Sequence, residues 1–179
     1  LGMRHNAATI VEVAGMQAIA DDAGLAPSRA AALLAEVARD VERLPQTPEE
    51  TALDHALARA AVKHAVTRHC GTVETVHTVN GPVTVQHGKD LSRISAVIGT
   101  GGAIVASRDP RSILAMALAD PAEPLSLRPV APRLLLDRHY LLYACGLLST
   151  VDPLAALELA SAHLETLPEE SAHERARFA

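Results

Sequence analysis

An apolar run that is interrupted by three glycines constrains the fold of this chain more than any other feature. Residues 96–105 read AVIGTGGAIV, so Gly99, Gly101 and Gly102 fall within four positions between two apolar segments. Glycine in an ordered element costs about 1 kcal/mol of stability relative to alanine, and folds keep it where φ is positive or where a Cβ would not fit. A strand that ends in such a turn is where α/β folds hold nucleotides.

The spacing of these glycines matches no complete phosphate-binding motif. No Gly-Lys-Ser/Thr follows them, as a P-loop requires, and Ile104 occupies the position of the third glycine of the dinucleotide fingerprint. A tight strand-to-helix turn that binds nothing would have the same spacing. Both interpretations stay open on the pattern alone.

Composition and charge argue against two classes of function. The net charge of −5, the three aromatic residues and the lack of a basic cluster disfavour nucleic-acid binding. The longest uncharged apolar run, residues 94–107, is broken by glycines and is shorter than the ~20 residues that span a bilayer, so we expect no membrane helix. The 179 residues are 49% hydrophobic, which is enough to bury a core.

The cysteines and the N-terminal sequence indicate the cellular compartment, and the first residues also indicate a fragment of a longer protein. Cys70 and Cys145 lie far apart, without the spacing of metal ligands, and no signal peptide precedes the first predicted helix. These features predict a cytoplasmic protein. The chain begins Leu1-Gly2-Met3, so we expect it to be a fragment of a longer protein.

The first 69 residues are predicted to form an all-helical subdomain. Helical apolar spacing predicts one helix over residues 6–22, with Asn6 at its N-cap and Gly24 at its end, and a second over residues 27–44. Thr47, Pro48 and Glu50 form a capping-box signature, so a third helix is expected from Pro48 to about His69.

The character of the sequence changes at Cys70, and residues 70–167 are predicted to form an α/β core subdomain. Two β-rich runs with a period of two flank Asn80-Gly81, the strongest short hairpin signal. Strands and helices are then expected to alternate. The predicted ranges are 72–78 and 82–87 for the hairpin, 94–98 and 134–136 for strands, and 109–118, 139–148 and 153–167 for helices.

Three aspartates in this half are predicted to cap helices, and the end of the chain is predicted to be unstructured. Asp109, Asp137 and Asp152 each precede a predicted helix. The polar residues 168–179 are expected to form a disordered tail.

No catalytic or metal-binding residue is assigned from side-chain spacing. His55, His64 and His69 are nine and five residues apart, which does not place two of them on one helical face as i, i+4 ligands. No nucleophile motif or carboxylate pair of the kind used in catalysis stands out. Asp54 is expected on a solvated surface. Lys89 is expected in a solvated turn, the alternative being contact with a phosphate or a neighbouring domain.

Four segments taken together carry a resemblance to a known family. They are GKDL at 88–91, VIGTGG at 97–102, LDRHY at 136–140 and ACGLL at 144–148. In this order they resemble the C-terminal part of the glutamate mutase accessory protein L family, whose members accompany adenosylcobalamin-dependent methylaspartate (glutamate) mutase and are unrelated to DNA mismatch repair. The resemblance runs from the first helix to about Leu167.

The resemblance implies a fold and a binding site. The family looks like part of the actin, sugar kinase and Hsp70 ATPase superfamily, so the chain would be the C-terminal lobe of an actin-like (ribonuclease H-like) ATPase fold with an attached helical subdomain. In that fold a glycine pair at a strand end lines the adenosine pocket. The role carries over to Gly101 and Gly102, with Gly99 and Thr100 beside them. The phosphate loops and catalytic acids would precede Leu1, so this chain alone is not expected to hydrolyse ATP.

The function implied by the resemblance is that of an ATP-binding, reactivating or chaperone-like accessory factor for an adenosylcobalamin-dependent mutase. ATP or ADP with magnesium would bind the full-length protein, the mutase subunits would be its partners, and cobalamin would not bind directly. Whether the protein forms a homo-oligomer stays open. Two alternatives also stay open: a lobe of a small-molecule kinase of the same superfamily, and a nonenzymatic interaction module in which the glycine turn merely packs.

Overall fold

A glycine divides the first helical segment of the computed structural model, which describes residues 2–168. A 3-10 turn, Met3–Asn6, leads into α1 (Ala7–Ala14), and α2 (Met16–Ala23) follows. The predicted single helix is wrong, because Gly15 lies between α1 and α2 at φ +88° and a positive φ cannot continue a right-handed helix. Gly24, at φ +64°, ends α2 as predicted. Asn6 holds the N-cap position but its amide donates to the Gly2 carbonyl oxygen instead.

The next two helices, α3 (Pro27–Arg39) and α4 (Pro48–His69), complete the helical part of the chain. Helix α3 ends five residues before the predicted end, whereas both ends of α4 are as predicted. The capping box of α4 is complete: Thr47 Oγ1 accepts from the Glu50 N–H at 3.2 Å, and Glu50 Oε2 accepts from the Thr47 N–H at 3.0 Å.

Aliphatic side chains from all four helices form the first hydrophobic cluster. Ala20 and Ala30 are fully buried, so the helices approach each other closely at these positions. The larger buried members are Ile19, Leu33, Leu53 and Leu57.

Strands β1 (Thr72–Thr78) and β2 (Gly81–His87) form the predicted hairpin as a separate two-stranded sheet. The strands are antiparallel, with Val76 opposite Val83. The two-residue turn is Val79-Asn80, one position earlier than the Asn-Gly signal indicates. Gly81 begins β2 instead, with a φ of +109°.

A three-stranded sheet in the order β3, β4, β5 forms the centre of the second half. Strand β3 (Ala96–Gly99) is parallel to β4 (Arg133–Leu136), and β5 (Glu165–Thr166) is antiparallel to β4. Helices α5 (Gly102–Val105) and α6 (Pro110–Ala115) lie between β3 and β4 in the chain, and α7 (Leu142–Leu148) and α8 (Pro153–His163) follow β4.

Strand β5 corrects the predicted last helix, which was expected to reach Leu167. Helix α8 ends at His163, and the chain turns back along β4. The Leu167 N–H donates to the Leu134 carbonyl oxygen at 2.9 Å, and Leu167 is buried with Leu114, Leu134 and Leu136 in a second hydrophobic cluster. Pairing with the edge of β4 and burial of Leu167 therefore outweigh the helical preference of residues 164–167.

The described residues are mixed α/β, as predicted, with one hydrophobic cluster among the N-terminal helices and the other around the sheet. The division into subdomains at residues 69 and 70 stays a prediction. The predicted disordered tail, apart from Pro168, lies outside the described residues. Within residues 2–168, none of the helices is both long and apolar enough to cross a bilayer.

Candidate functional site

The glycine turn, residues 99–102, lies where β3 ends and beside the end of β4. The two strands are parallel and Gly99 is opposite Leu136, so their carboxyl ends meet at one edge of the sheet. The Asp137 N–H donates to the Gly99 carbonyl oxygen at 2.9 Å and continues the ladder by one residue. The structure thus brings the four predicted site residues, Gly99, Thr100, Gly101 and Gly102, together with Asp137.

The three glycines of the turn have different physical reasons to be glycine. A Cβ at Gly99 would lie 2.8 Å from Leu114 Cδ1 and 3.0 Å from Ile104 Cγ2, so packing within the protein excludes a side chain there. Gly101 has a φ of +97°, which strains any L side chain, although a Cβ would meet no atom within 4 Å. Gly102 begins α5, and its Cβ would make only an ordinary contact of 3.6 Å with Tyr140 Oη.

Asp137 is a buried carboxylate that joins the turn to the start of α7. Its Oδ1 accepts from the Leu141 N–H at 2.9 Å, and its Oδ2 accepts from the Leu142 N–H and from Thr100 Oγ1, each at 3.3 Å. Leu141, rather than Asp137, holds the N-cap position of α7. Asp137 therefore caps α7 as predicted, but from a position four residues before the N-cap residue Leu141. The helix begins three residues later than predicted. Asp109 and Asp152 cap α6 and α8 directly, as predicted.

Tyr140, the last residue of the LDRHY segment, lies beside the glycine turn, a position that the sequence does not predict. Among residues 2–168 it is the one non-glycine residue with a positive φ, at 55°. Non-glycine residues in this region are strained and cluster at functional sites. Its side chain is half-exposed, with the hydroxyl beside Gly102. Periodicity carries no signal for such a residue, because its conformation is imposed by the turn from Asp137 into α7.

An ion pair between Arg138 and Glu165 follows Asp137 at the carboxyl end of β4. Arg138 Nε lies 2.5 Å from Glu165 Oε2, and Arg138 Nη2 lies 3.0 Å from Glu165 Oε1, which is a bidentate arrangement. The hydrogen bond from Arg138 lowers the pKa of Glu165, and the same contact raises the pKa of Arg138. Strand β5 supplies this carboxylate, so the unpredicted strand also determines the charge next to the site.

Helix α4 contacts the segment that follows the glycine turn through a histidine. His55 Nε2 lies 2.8 Å from Ser112 Oγ, and His55 Nδ1 lies 3.2 Å from Ser107 Oγ. Arg59, one turn further along α4, donates to the Ser112 carbonyl oxygen at 3.3 Å. These contacts join the helical residues to α6, whose N-cap, Asp109, accepts from the Ser112 N–H.

Two further expectations from the sequence have clear outcomes. Asp54 is not on a solvated surface, because it forms a partly buried ion pair with Arg4. Lys89 is exposed, as expected, but its backbone forms an isolated parallel bridge with Cys70 rather than a turn.

Two glycines beside Lys89 are required by the backbone conformation and packing of this segment. A Cβ at Gly71 would lie 2.1 Å from the His87 carbonyl oxygen, and Gly88 has a φ of +79°. The neighbouring Asp90 accepts from the Ser92 hydroxyl at 2.6 Å and the Ser92 N–H at 2.9 Å, and these bonds lower its pKa. The GKDL segment therefore has a structural explanation in close backbone packing.

Comparisons with known proteins agree with the resemblance seen in the motifs. A family model described as MutL protein matches residues 1–164. Protein MutL from Clostridium tetanomorphum is 34% identical over 164 residues, which cover 92% of this chain and 36% of that protein. The chain thus spans little more than a third of the length of this relative. No solved structure matches it. The chain therefore belongs to the MutL family, the glutamate mutase accessory proteins that its motifs resemble.

Proposed function

We propose that the glycine turn holds the adenosine part of ATP or ADP, and that the full-length protein is a nucleotide-dependent accessory factor of an adenosylcobalamin-dependent mutase. The supporting observation is the open backbone at the carboxyl ends of β3 and β4. A Cβ at Gly101 would meet no atom within 4 Å, and one at Gly102 would meet only Tyr140 Oη. The carboxyl ends of parallel strands are where open α/β sheets bind nucleotides.

Thr100 is the polar group of the turn that is best placed to contact a nucleotide. Its hydroxyl donates its proton to the buried Asp137 carboxylate, so the oxygen keeps lone pairs that can accept a hydrogen bond. Thr100 is itself exposed. A ribose hydroxyl or the adenine amino group is the matching donor.

In this proposal the chain is the C-terminal lobe of an actin-like ATPase fold. The lobe contributes the adenosine side of the site, and segments outside these 179 residues contribute the phosphate loops and the groups that hold magnesium. Closure of two lobes around the nucleotide, and their relaxation after hydrolysis, would remodel a partner that prefers one of the two states. Cobalamin stays with the mutase throughout.

Family membership supports the accessory role over the two alternatives. The matching family and the bacterial relative both carry the name MutL, whereas no observation at the glycine turn favours a kinase substrate. The partner would be the mutase, and both proteins would meet in the cytoplasm.

Calorimetric titration of Mg-ADP into the full-length protein tests nucleotide binding, and Gly102→Glu is the sharpest variant. Gly102 accepts a Cβ without a clash, so a longer side chain blocks the turn while the protein stays folded. Gly146→Glu is the matched control, because Gly146 is exposed and its Cβ would meet no atom within 4 Å. We expect the wild type and Gly146→Glu to bind and Gly102→Glu to lose at least about tenfold in affinity.

Failure of the wild type to bind Mg-ADP or Mg-ATP would favour a nonenzymatic interaction module. Equal binding by wild type and Gly102→Glu would move the nucleotide away from the glycine turn. The accessory role has its own test, which is whether the full-length protein co-purifies with glutamate mutase in a nucleotide-dependent way. Phosphorylation of a small-molecule acceptor without any effect on the mutase would favour the kinase alternative.

A further inference from the structure

A cavity of about 350 Å³ lies at the opposite end of the sheet from the glycine turn. Arg133 and Leu134, which begin β4, line one side, and Thr166 and Leu167, at the end of the antiparallel strand β5 and just after it, line another. Leu118, after α6, also contributes. Since Gly99 and Asp137 lie at the carboxyl ends of β3 and β4, this cavity at the amino end of β4 is separate from the proposed adenosine site.

Two arginines line the cavity without an acidic partner in the described part of the chain. Within residues 2–168, neither Arg111 nor Arg133 takes part in an ion pair. Arg111 Nε is fully buried and makes no hydrogen bond there. Arg128 Nε is likewise buried without a hydrogen bond, but the Arg128 guanidinium is paired through Nη2 with Glu123 at 2.9 Å.

Two arginines without a counter-charge in the described residues, set in a mostly aliphatic lining, favour a ligand that carries a negative charge. A guanidinium is a planar fork that binds carboxylate or phosphate oxygens in a bidentate manner. The rest of the lining is mostly aliphatic, with Leu118, Leu134 and Leu167 among its members, which suits the apolar part of a ligand.

We propose that this cavity binds a small organic anion, whose carboxylate or phosphate group is held by Arg111 and Arg133 and whose aliphatic part packs against Leu118, Leu134 and Leu167. The volume is in the range of small-molecule sites. We therefore expect the cavity to bind such an amphipathic anion more tightly than inorganic phosphate, which has no apolar part, or a hydrocarbon, which has no charge.

Titration of hexanoate and of hexyl phosphate into the full-length protein tests the proposal, with hexanol as the uncharged probe. We expect saturable binding of at least one anion and none of hexanol. Arg111→Met, which keeps the length of the side chain, should weaken the anion at least about tenfold. Arg108→Met is the matched control, because Arg108 is exposed and does not line the cavity. A thermal melt of each variant checks that it is folded.

The two anionic probes show whether the cavity prefers a carboxylate or a phosphate group. Tighter binding of hexanoate or of hexyl phosphate identifies the preferred anion, and either result supports the proposal. Saturable binding of neither anion by the wild type, or equal binding by Arg111→Met, overturns it. Glu169 and Glu170, which follow Pro168 in the sequence, are carboxylates of this chain whose pairing with the arginines is tested separately. Binding that appears only in the Glu169→Gln, Glu170→Gln double variant would assign the arginines to these carboxylates and overturn the proposal as well.

Discussion

At the scale of single residues, glycines that form one motif in the sequence are constrained by different surroundings. Gly99 is enclosed by Leu114 and Ile104, Gly101 has a positive φ, and Gly102 faces open space beside Tyr140. The sequence pattern predicts where the turn is, but only the neighbours that the fold brings in decide which position tolerates a side chain.

Alanine substitutions should therefore affect Gly99 and Gly102 in opposite ways. Gly99→Ala should lower the free energy of unfolding by about 1–3 kcal/mol, because the buried Leu114 and the partly buried Ile104 side chains must shift to admit a methyl group. Gly102→Ala should leave it unchanged or raise it by about 0.5 kcal/mol, because the position accepts a Cβ and alanine restricts the unfolded chain. Urea unfolding measures both, and equal effects would contradict this packing explanation.

Asp137→Ala should destabilise the protein by about 1–3 kcal/mol, because it removes the acceptor of the Leu141 and Leu142 N–H groups. Thr100→Ala removes only the hydroxyl that donates to Asp137 and is the control from the same hydrogen-bond group. Its effect on urea unfolding should be smaller. A larger loss for Thr100→Ala than for Asp137→Ala would show that the carboxylate does not hold the start of α7.

At the scale of elements, helices with local end signals are predicted best. The capping box and Pro48 define the start of α4, and both of its ends agree with the sequence. Helix α7 and strand β5 have no such signals. The first begins late because Asp137 caps it across a strained Tyr140, and the second forms because the edge of β4 is available for pairing.

The capping box also predicts a dependence of stability on pH. The pKa of Glu50 is lowered from 4.5, chiefly by the backbone N–H of Gln46. A lowered folded-state pKa means that this contribution is present above the unfolded pKa and is lost as the pH falls through the folded value. We expect wild type to melt at a higher temperature than Glu50→Gln at neutral pH, and this difference to narrow below about pH 4.5.

Melting curves of wild type and Glu50→Gln from about pH 7 to pH 3 make this comparison. Glu42→Gln removes the same charge from an exposed residue outside the cap and is the control. A wild-type advantage over Glu50→Gln that stays constant over the whole pH range would contradict the assignment to the Glu50 carboxylate.

At the scale of the whole molecule, His55 joins the helical residues to the elements that follow the glycine turn. His55→Ala removes both serine contacts, and a loss of about 1 kcal/mol corresponds to roughly fivefold faster local opening. Hydrogen exchange of α5 and α6 should therefore accelerate by that factor, while exchange in α2 and α3 changes less.

The control for this experiment is His69→Ala, at the exposed end of the same helix. It removes an imidazole from α4 without touching Ser107 or Ser112. Uniform acceleration of exchange throughout the chain, or an equal effect of His69→Ala, would mean that His55 does not act as a specific link.

The sequence by itself determined the features that depend on residues close together in the chain. The α4 capping box and the Asp109 and Asp152 caps involve partners three positions apart and formed as predicted, and the hairpin formed with its turn one position earlier than predicted. The tertiary structure decided the rest. Thr100 meets Asp137 across 37 positions because β3 pairs in parallel with β4, and Arg111 comes to line a cavity with Arg133 through the packing of α6 beside β4. Such contacts depend on which elements pair, and a local pattern carries no information about that choice.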